Sequence, residues 1–179
     1  MHIVTFGASN NSNSINRQLA VYASSQFKDA SVEILDLNDF EMPIYSMERE
    51  QTSGIPELAQ HFFQKLGNAD ALVISLAEHN GSYSTAFKNI FDWMSRINGK
   101  VFQDKPTLLL STSPGPRGGI TVLNAALERW PYMGAIIKGS LSFPEFYKNY
   151  NAENGVVNES LKADLLREVE KVEAALVLN

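Results

Sequence analysis

Short apolar runs alternate along the chain with longer segments in which apolar residues recur at three- and four-residue spacing. Ile3–Phe6 is the first run, closed by Gly7, and reads as a buried strand. A helix is predicted from near Ser14 to about Phe27, and Val32–Leu37 predicts a second strand ending in the turn-rich Asp36-Leu37-Asn38-Asp39. Phe40 to Gly54 is the longest irregular stretch. Pro56 then suits the first turn of a helix, and Leu58, Phe62, Phe63 and Leu66 follow at helical spacing. Ala71–Leu76 is apolar almost throughout, the pattern of a strand covered on both faces. Ala86, Phe87, Ile90, Phe91, Met94 and Ile97 mark one face of the next helix. Thr107–Leu110 predicts a fourth strand, Ile120–Trp130 a helix, and Ala135–Lys138 a fifth strand. A last helix is expected from near Asn158, with Leu161, Leu165, Val169, Val172 and Leu176 as its buried stripe.

Five strands alternating with five helices predict an α/β fold: a parallel sheet with helices on both faces, in three layers. No repeat, low-complexity tract or linker interrupts the pattern, so residues 1–179 are expected to form one domain. In such sheets ligands bind beyond the carboxyl ends of the strands, at the point where the strand order reverses. The loops after Phe6, Leu76 and Leu110 are therefore the candidate site.

Composition narrows the chemistry. The chain has 179 residues, 44% of them hydrophobic and 20% charged, and no cysteine. Disulfides, thiolate metal sites, iron–sulfur ligation and cysteine nucleophiles are all excluded. The formal net charge of −5 and the lack of a Lys/Arg cluster argue against nucleic acid and membrane surfaces as partners. Met1–Gly7 is too short an apolar run for a signal peptide, and no stretch reaches membrane-spanning length; a cytoplasmic protein is expected.

The first loop runs from Gly7 to Asn16, and every residue from Ser9 to Ser14 is small and polar, with no acidic group. A helix start with Ser and Asn donors makes a phosphate cradle, and the same residues also make an ordinary N-cap turn. No Gly-Lys-Ser/Thr follows, so it is not a P-loop. The second loop is Ala77-Glu78-His79-Asn80-Gly81-Ser82-Tyr83-Ser84, readable as a site with an acid–base histidine or as a polar turn with Ser82 or Ser84 capping the next helix. Neither His2 nor His61 has metal-ligand spacing to His79, so no metal is expected. The third loop, Ser111-Thr112-Ser113-Pro114-Gly115-Pro116-Arg117-Gly118-Gly119, is stiffened by prolines and opened by glycines that let a flat ligand approach the backbone, or is a plain strand-to-helix connection.

Taken together these residues resemble the NAD(P)H-dependent FMN reductases, a family that includes quinone, azo-dye and chromate reductases. Its motif Ser-x-Arg-x-x-Ser-x-Asn falls on Ser9, Asn11, Ser14 and Asn16. Pro-Glu-Tyr-Asn, followed by a Lys-Asn-x-x-Asp-Trp helix, falls on Ala77-Glu78-His79-Asn80 and on Lys88-Asn89-Ile90-Phe91-Asp92-Trp93. Ser-x-x-Gly-x-x-Gly-Gly is met by Ser111, or better in register by Ser113-Pro114-Gly115-Pro116-Arg117-Gly118-Gly119, and Pro43-Ile44-Tyr45 with Gly54-Ile55-Pro56 resembles the loop after the second strand. The likeness covers about residues 1–140. Asn11 stands where the motif has arginine, with Arg17 close by in sequence; Ala77 replaces proline and His79 replaces tyrosine.

The resemblance implies a flavodoxin-like sheet of order 2-1-3-4-5 and bound FMN, with NADPH or NADH as co-substrate. Ser9, Asn11, Ser14, Ile15 and Asn16 would take the phosphate. Ala77, Glu78, His79, Asn80 and Gly81, with Ser113, Pro114, Gly115, Arg117 and Gly118, would hold the isoalloxazine ring. No catalytic side chain is assigned, since the chemistry would belong to the flavin. The partner would be a small-molecule electron acceptor (quinone-like, azo or free flavin), and the assembly a homodimer or homotetramer. A flavodoxin-like electron carrier and a flavin-dependent sensor are the rival readings; a carrier would be expected to be more acidic and to sandwich its ring between aromatics, and Tyr83 is the one aromatic near the second loop.

Overall fold

The computed structural model describes residues 1–177. The last two positions of the expected 1–179 domain lie outside the described residues. Five parallel strands form the main sheet: β1 His2–Ala8, β2 Ser31–Ile34, β3 Ala71–Leu76, β4 Lys105–Thr112 and β5 Ala135–Phe143. Their order is β2-β1-β3-β4-β5, which is the expected 2-1-3-4-5. Helices α1 Ile15–Ser24 and α7 Glu159–Val177 cover one face. The helices α3 Glu57–Asn68, α4 Thr85–Ile97 and α5 Ile120–Arg129 cover the other. Short helices α2 Met47–Ser53 and α6 Phe146–Asn149 lie in the connections.

The continuous apolar runs follow from this layering. Successive side chains of a strand point to opposite faces. Leu72 and Ile74 on β3 join Val4, Phe6 and Leu109 in the core beneath α3–α5. Ala71 and Val73 join Ile3, Leu108 and Leu110 in the core beneath α1 and α7. Central strands thus have no polar face to show, whereas the edge strand β2 is largely exposed.

Several element bounds differ from the sequence expectation. The first helix stops at Ser24, short of Phe27. β2 ends at Ile34 because Leu37–Phe40 turns into a 3-10 helix capped by Asp36. The irregular stretch from Phe40 holds α2, whose N-cap Ser46 accepts a bond from the Arg49 N–H. β5 extends to Phe143 instead of Lys138; Gly139 and two serines hid its period. Gly139 is required there because a Cβ would lie 2.6 Å from the Glu168 carbonyl oxygen of α7.

Gly7 does not end the first strand but lies inside it. A Cβ on Gly7 would sit 2.3 Å from the Arg17 backbone nitrogen, so α1 crosses β1 at a spacing that admits only hydrogen. Gly7→Ala is expected to push α1 off the sheet and destabilise the fold by about 1–3 kcal/mol, the usual range for overpacking. A urea midpoint unchanged from that of the wild type would refute the close-approach account.

Candidate functional site at the carboxyl ends of the strands

β1, β3 and β4 are adjacent and parallel, so the loops that follow them emerge at one edge of the sheet. The strand order reverses between β1 and β3, which is where the first and second loops diverge. All three sequence-derived loops are therefore neighbours.

The first loop is wound by its own polar atoms. The Asn11 N–H donates to Ser9 Oγ at 3.2 Å, the Asn13 N–H to Asn11 Oδ1 at 2.9 Å, and the Ser14 N–H to the Asn11 carbonyl at 3.0 Å. Ser14 is the N-cap of α1, its hydroxyl accepting from the Arg17 N–H at 3.2 Å. The N–H groups of Asn10, Ser12, Ile15 and Asn16 meet no acceptor among the described residues. The last two belong to the first turn of α1, which carries no acidic residue. These donors, with the hydroxyl protons of Ser9 and Ser14, fit an anion such as a phosphate ester.

Asn16 does a different job from its neighbours. It is 4% exposed. Its Oδ1 accepts from the Ser75 hydroxyl at 2.7 Å and from the Thr112 N–H at 3.0 Å, while its Nδ2 donates to the Thr112 carbonyl at 3.2 Å. One carboxamide thus ties α1 to the ends of β3 and β4.

The second loop is a tight ribbon. Glu78–His79 pairs antiparallel with Ser82–Tyr83 around Asn80-Gly81, whose φ values are 52° and 76°. Two successive positive φ angles define the type I′ turn that Asn-Gly favours, a hairpin signal that neither sequence reading of the loop used. Ser84 is the cap of α4, accepting from the Phe87 N–H and donating to the Ala8 carbonyl at 2.8 Å. The Glu78 carboxylate accepts from the Thr121 and Val122 N–H groups, at 3.0 and 3.1 Å, at the start of α5. It therefore joins the second loop to the helix after the third. Ala77 is buried and His79 exposed. His79 flanks a cavity of about 390 Å³ whose lining includes Asn10, Glu41, Ala86 and Asn89. Tyr83 turns inward instead, its ring 5.7 Å from Phe87 and stacked 6.1 Å from Trp130. Burial pushes its phenol up, partly offset by the adjacent Trp130 indole. Tyr83 is thus half-buried and packs its ring against the core.

The third loop is braced from β5 and α6. The Gly115 carbonyl accepts from the Glu145 N–H at 3.0 Å and the Ser113 carbonyl from the Phe146 N–H at 3.1 Å. Gly118, at φ 58°, lies where a Cβ would meet Ser142 Oγ at 2.6 Å and the Phe143–Pro144 backbone at 2.9 Å. Its missing side chain serves the chain's own packing. Pro114 and Arg117 are exposed, and the Arg117 guanidinium donates to Thr121 Oγ1. Ser113 and Gly115 are half-buried.

The Lys-Asn-x-x-Asp-Trp helix also acquires a role that its sequence did not reveal. Asn89 Nδ2 donates to the Met42 and Pro43 carbonyls, Asn89 Oδ1 accepts from the Tyr45 N–H, and Trp93 Nε1 donates to the Pro43 carbonyl at 2.7 Å. Together they clasp the segment after β2 onto α4. Lys88 and Asp92 pair with each other one turn apart.

The sequence profile of the NADPH-dependent FMN reductase family matches residues 1–148. A 2-hydroxy-1,4-benzoquinone reductase from a Burkholderia species is 30% identical over 168 residues, covering 90% of this chain and 88% of the relative. A quinone reductase from Escherichia coli strain K12 is 28% identical over 124 residues, covering 63% of this chain and 66% of the relative. Among solved structures, a flavoenzyme NAD(P)H:(acceptor) oxidoreductase from Paracoccus denitrificans shares the fold with a TM-score of 0.74 at 23% identity, covering 96% of this chain and 95% of the other.

The geometry makes Asn16 a structural element first. Asn16→Ala orphans a buried hydroxyl and a buried N–H together and is expected to cost about 3 kcal/mol. Denaturant unfolding of the purified variant measures it. A loss below about 1 kcal/mol would refute the tie.

Proposed function

The chain belongs to the NADPH-dependent FMN reductase family, and from that premise we propose that it is an oxidoreductase that draws on NADPH or NADH and reduces a quinone-like small molecule. Its cofactor is FMN, which supplies the capacity to accept a hydride and release electrons when bound. The observation that carries the reading is the set of uncommitted donors on the first loop, fixed in place by Asn16.

The chain's own residues do the holding. Ser9 and Ser14 offer hydroxyl protons and Ile15 and Asn16 offer helix-start N–H groups to the phosphate, while Asn11 keeps the loop wound. The rigid ribbon of Glu78, His79, Asn80 and Gly81, on its footing at Ala77, forms one wall for the ring. Ser113, Pro114, Gly115, Arg117 and Gly118 form the opposite wall, braced from β5 and α6. The cavity beside His79, with apolar Leu37, Phe40 and Ile90 in its lining, suits a small aromatic acceptor. No protein nucleophile is required, because the chemistry belongs to the flavin.

The described chain works as one unit in this proposal, in the cytoplasm and as a homodimer or homotetramer. Ile44 and Met47, 66% and 63% exposed beside the clasped segment, are suited to a contact between copies. Among the described residues, no helix is long and apolar enough to cross a membrane.

Purified protein supplied with FMN is expected to oxidise NADPH or NADH when a benzoquinone is added. Failure with both nucleotides would remove the enzyme reading, and failure to quench added FMN fluorescence would remove the cofactor. Asn11→Arg is expected to tighten FMN about tenfold by adding a charge-assisted contact. Unchanged affinity on titration would count against the phosphate position.

A further inference from the structure

The phosphate cradle as wound here contains no cation, since Ser9 to Asn16 are all uncharged. The Asn11 amide that replaces the motif's arginine is spent inside the loop, its Oδ1 accepting from the Asn13 N–H. A phosphate dianion would then meet only neutral donors. Yet a guanidinium stands one turn away.

Arg17 follows Ser14 at the N3 position of α1, its N–H bonded to Ser14 Oγ. Long side chains on a helix lean back toward its N-terminus. Arg17 accordingly shares a cavity of about 540 Å³ with Ser12, Asn13 and Ser14, three residues of the cradle. Its guanidinium has one polar partner among the described residues: Nη1 lies 3.4 Å from Asp36 Oδ2. That is longer than a good hydrogen bond. The two side chains are 41% and 24% exposed, and pairs of this kind contribute little. Asp36 has its other oxygen, Oδ1, occupied by the Asn38 N–H and amide. Arg117, on the third loop, is directed to Thr121, and Lys88 on α4 is paired with Asp92.

We infer that Arg17 is the phosphate-binding cation of this chain, taking over from α1 the charge that the family motif places in the loop, and that Asp36 holds it in waiting and competes with the phosphate for it. The inference rests on the FMN reading above and concerns a residue outside the family motif. It makes Asp36 a tuning group: its carboxylate weakens phosphate affinity by pairing with Arg17 and by repelling the dianion.

The test compares FMN with riboflavin, which has the same ring and no phosphate. Flavin-stripped protein is titrated with each by fluorescence quenching. Arg17→Gln is expected to weaken FMN about 10- to 100-fold, the value of a hydrogen bond to a charged group, and to leave riboflavin within about twofold. It should also flatten the salt dependence of FMN affinity. Asp36→Asn, which keeps the Oδ1 acceptor for Asn38, should tighten FMN severalfold without changing riboflavin. Asn11→Arg placed in the Arg17→Gln background should recover FMN affinity. An unchanged FMN-to-riboflavin ratio in Arg17→Gln overturns the inference, as does a loss of that ratio in Arg117→Gln instead. If Arg17→Gln does not fold, the Asp36→Asn ratio decides in the same way. Wild-type protein that binds neither flavin overturns the FMN reading itself, a result distinct from all of these.

Discussion

The carboxyl edge of the sheet is organised by one buried carboxamide. Asn16 is the only group at that position that can both accept from Ser75 and Thr112 and donate back to Thr112. A carboxylate there would lack the donor and would place a charge in the interior, and an apolar side chain would orphan all three partners. By fixing the first turn of α1 against β3 and β4, the amide decides where the free N–H groups of that turn point. Gly7 permits the same approach from below, because α1 can reach Asn16's position only if the strand beneath it lacks a Cβ.

Much of this frame was legible in the chain because apolar periodicity reports burial directly. Ala71–Leu76 announced a two-sided strand, and the alternation of elements announced a parallel sheet with its loops at one edge. What escaped has a common physical cause. Gly139 breaks the pattern of β5 to make room for α7, a requirement set by a helix far along the chain. Glu78 reads as a loop acid, yet its partners are the amides of residues 121 and 122, and nothing local marks such a pairing. Likewise Asn89 and Trp93 were conspicuous as a motif, but their carbonyl partners at 42 and 43 belong to a segment without periodicity. The Asn80-Gly81 turn is the exception: its dipeptide was a sufficient local signal for a hairpin.

The residues of the three loops divide by what their polar groups already do. Asn16, Glu78, Ser84 and Gly118 are occupied in holding the loops to each other and to the sheet. Ser9, Ser14, Ile15 and the exposed backbone of the ribbon keep donors in reserve. At position 11 the amide has work of its own, since its Oδ1 winds the loop by accepting from the Asn13 N–H. Charge at the site is then supplied from outside the loop, from the α1 residue that lines a cavity together with Ser12, Asn13 and Ser14.

Glu78 carries a further consequence for how the rim moves. Its carboxylate is the acceptor for two amides of α5, so a departure of the ribbon strips both at once. The Thr121 and Val122 protons can exchange with solvent only when that carboxylate lets go. Their exchange rates therefore report how often the ribbon and the start of α5 part, read from two amides that lie outside the loops themselves.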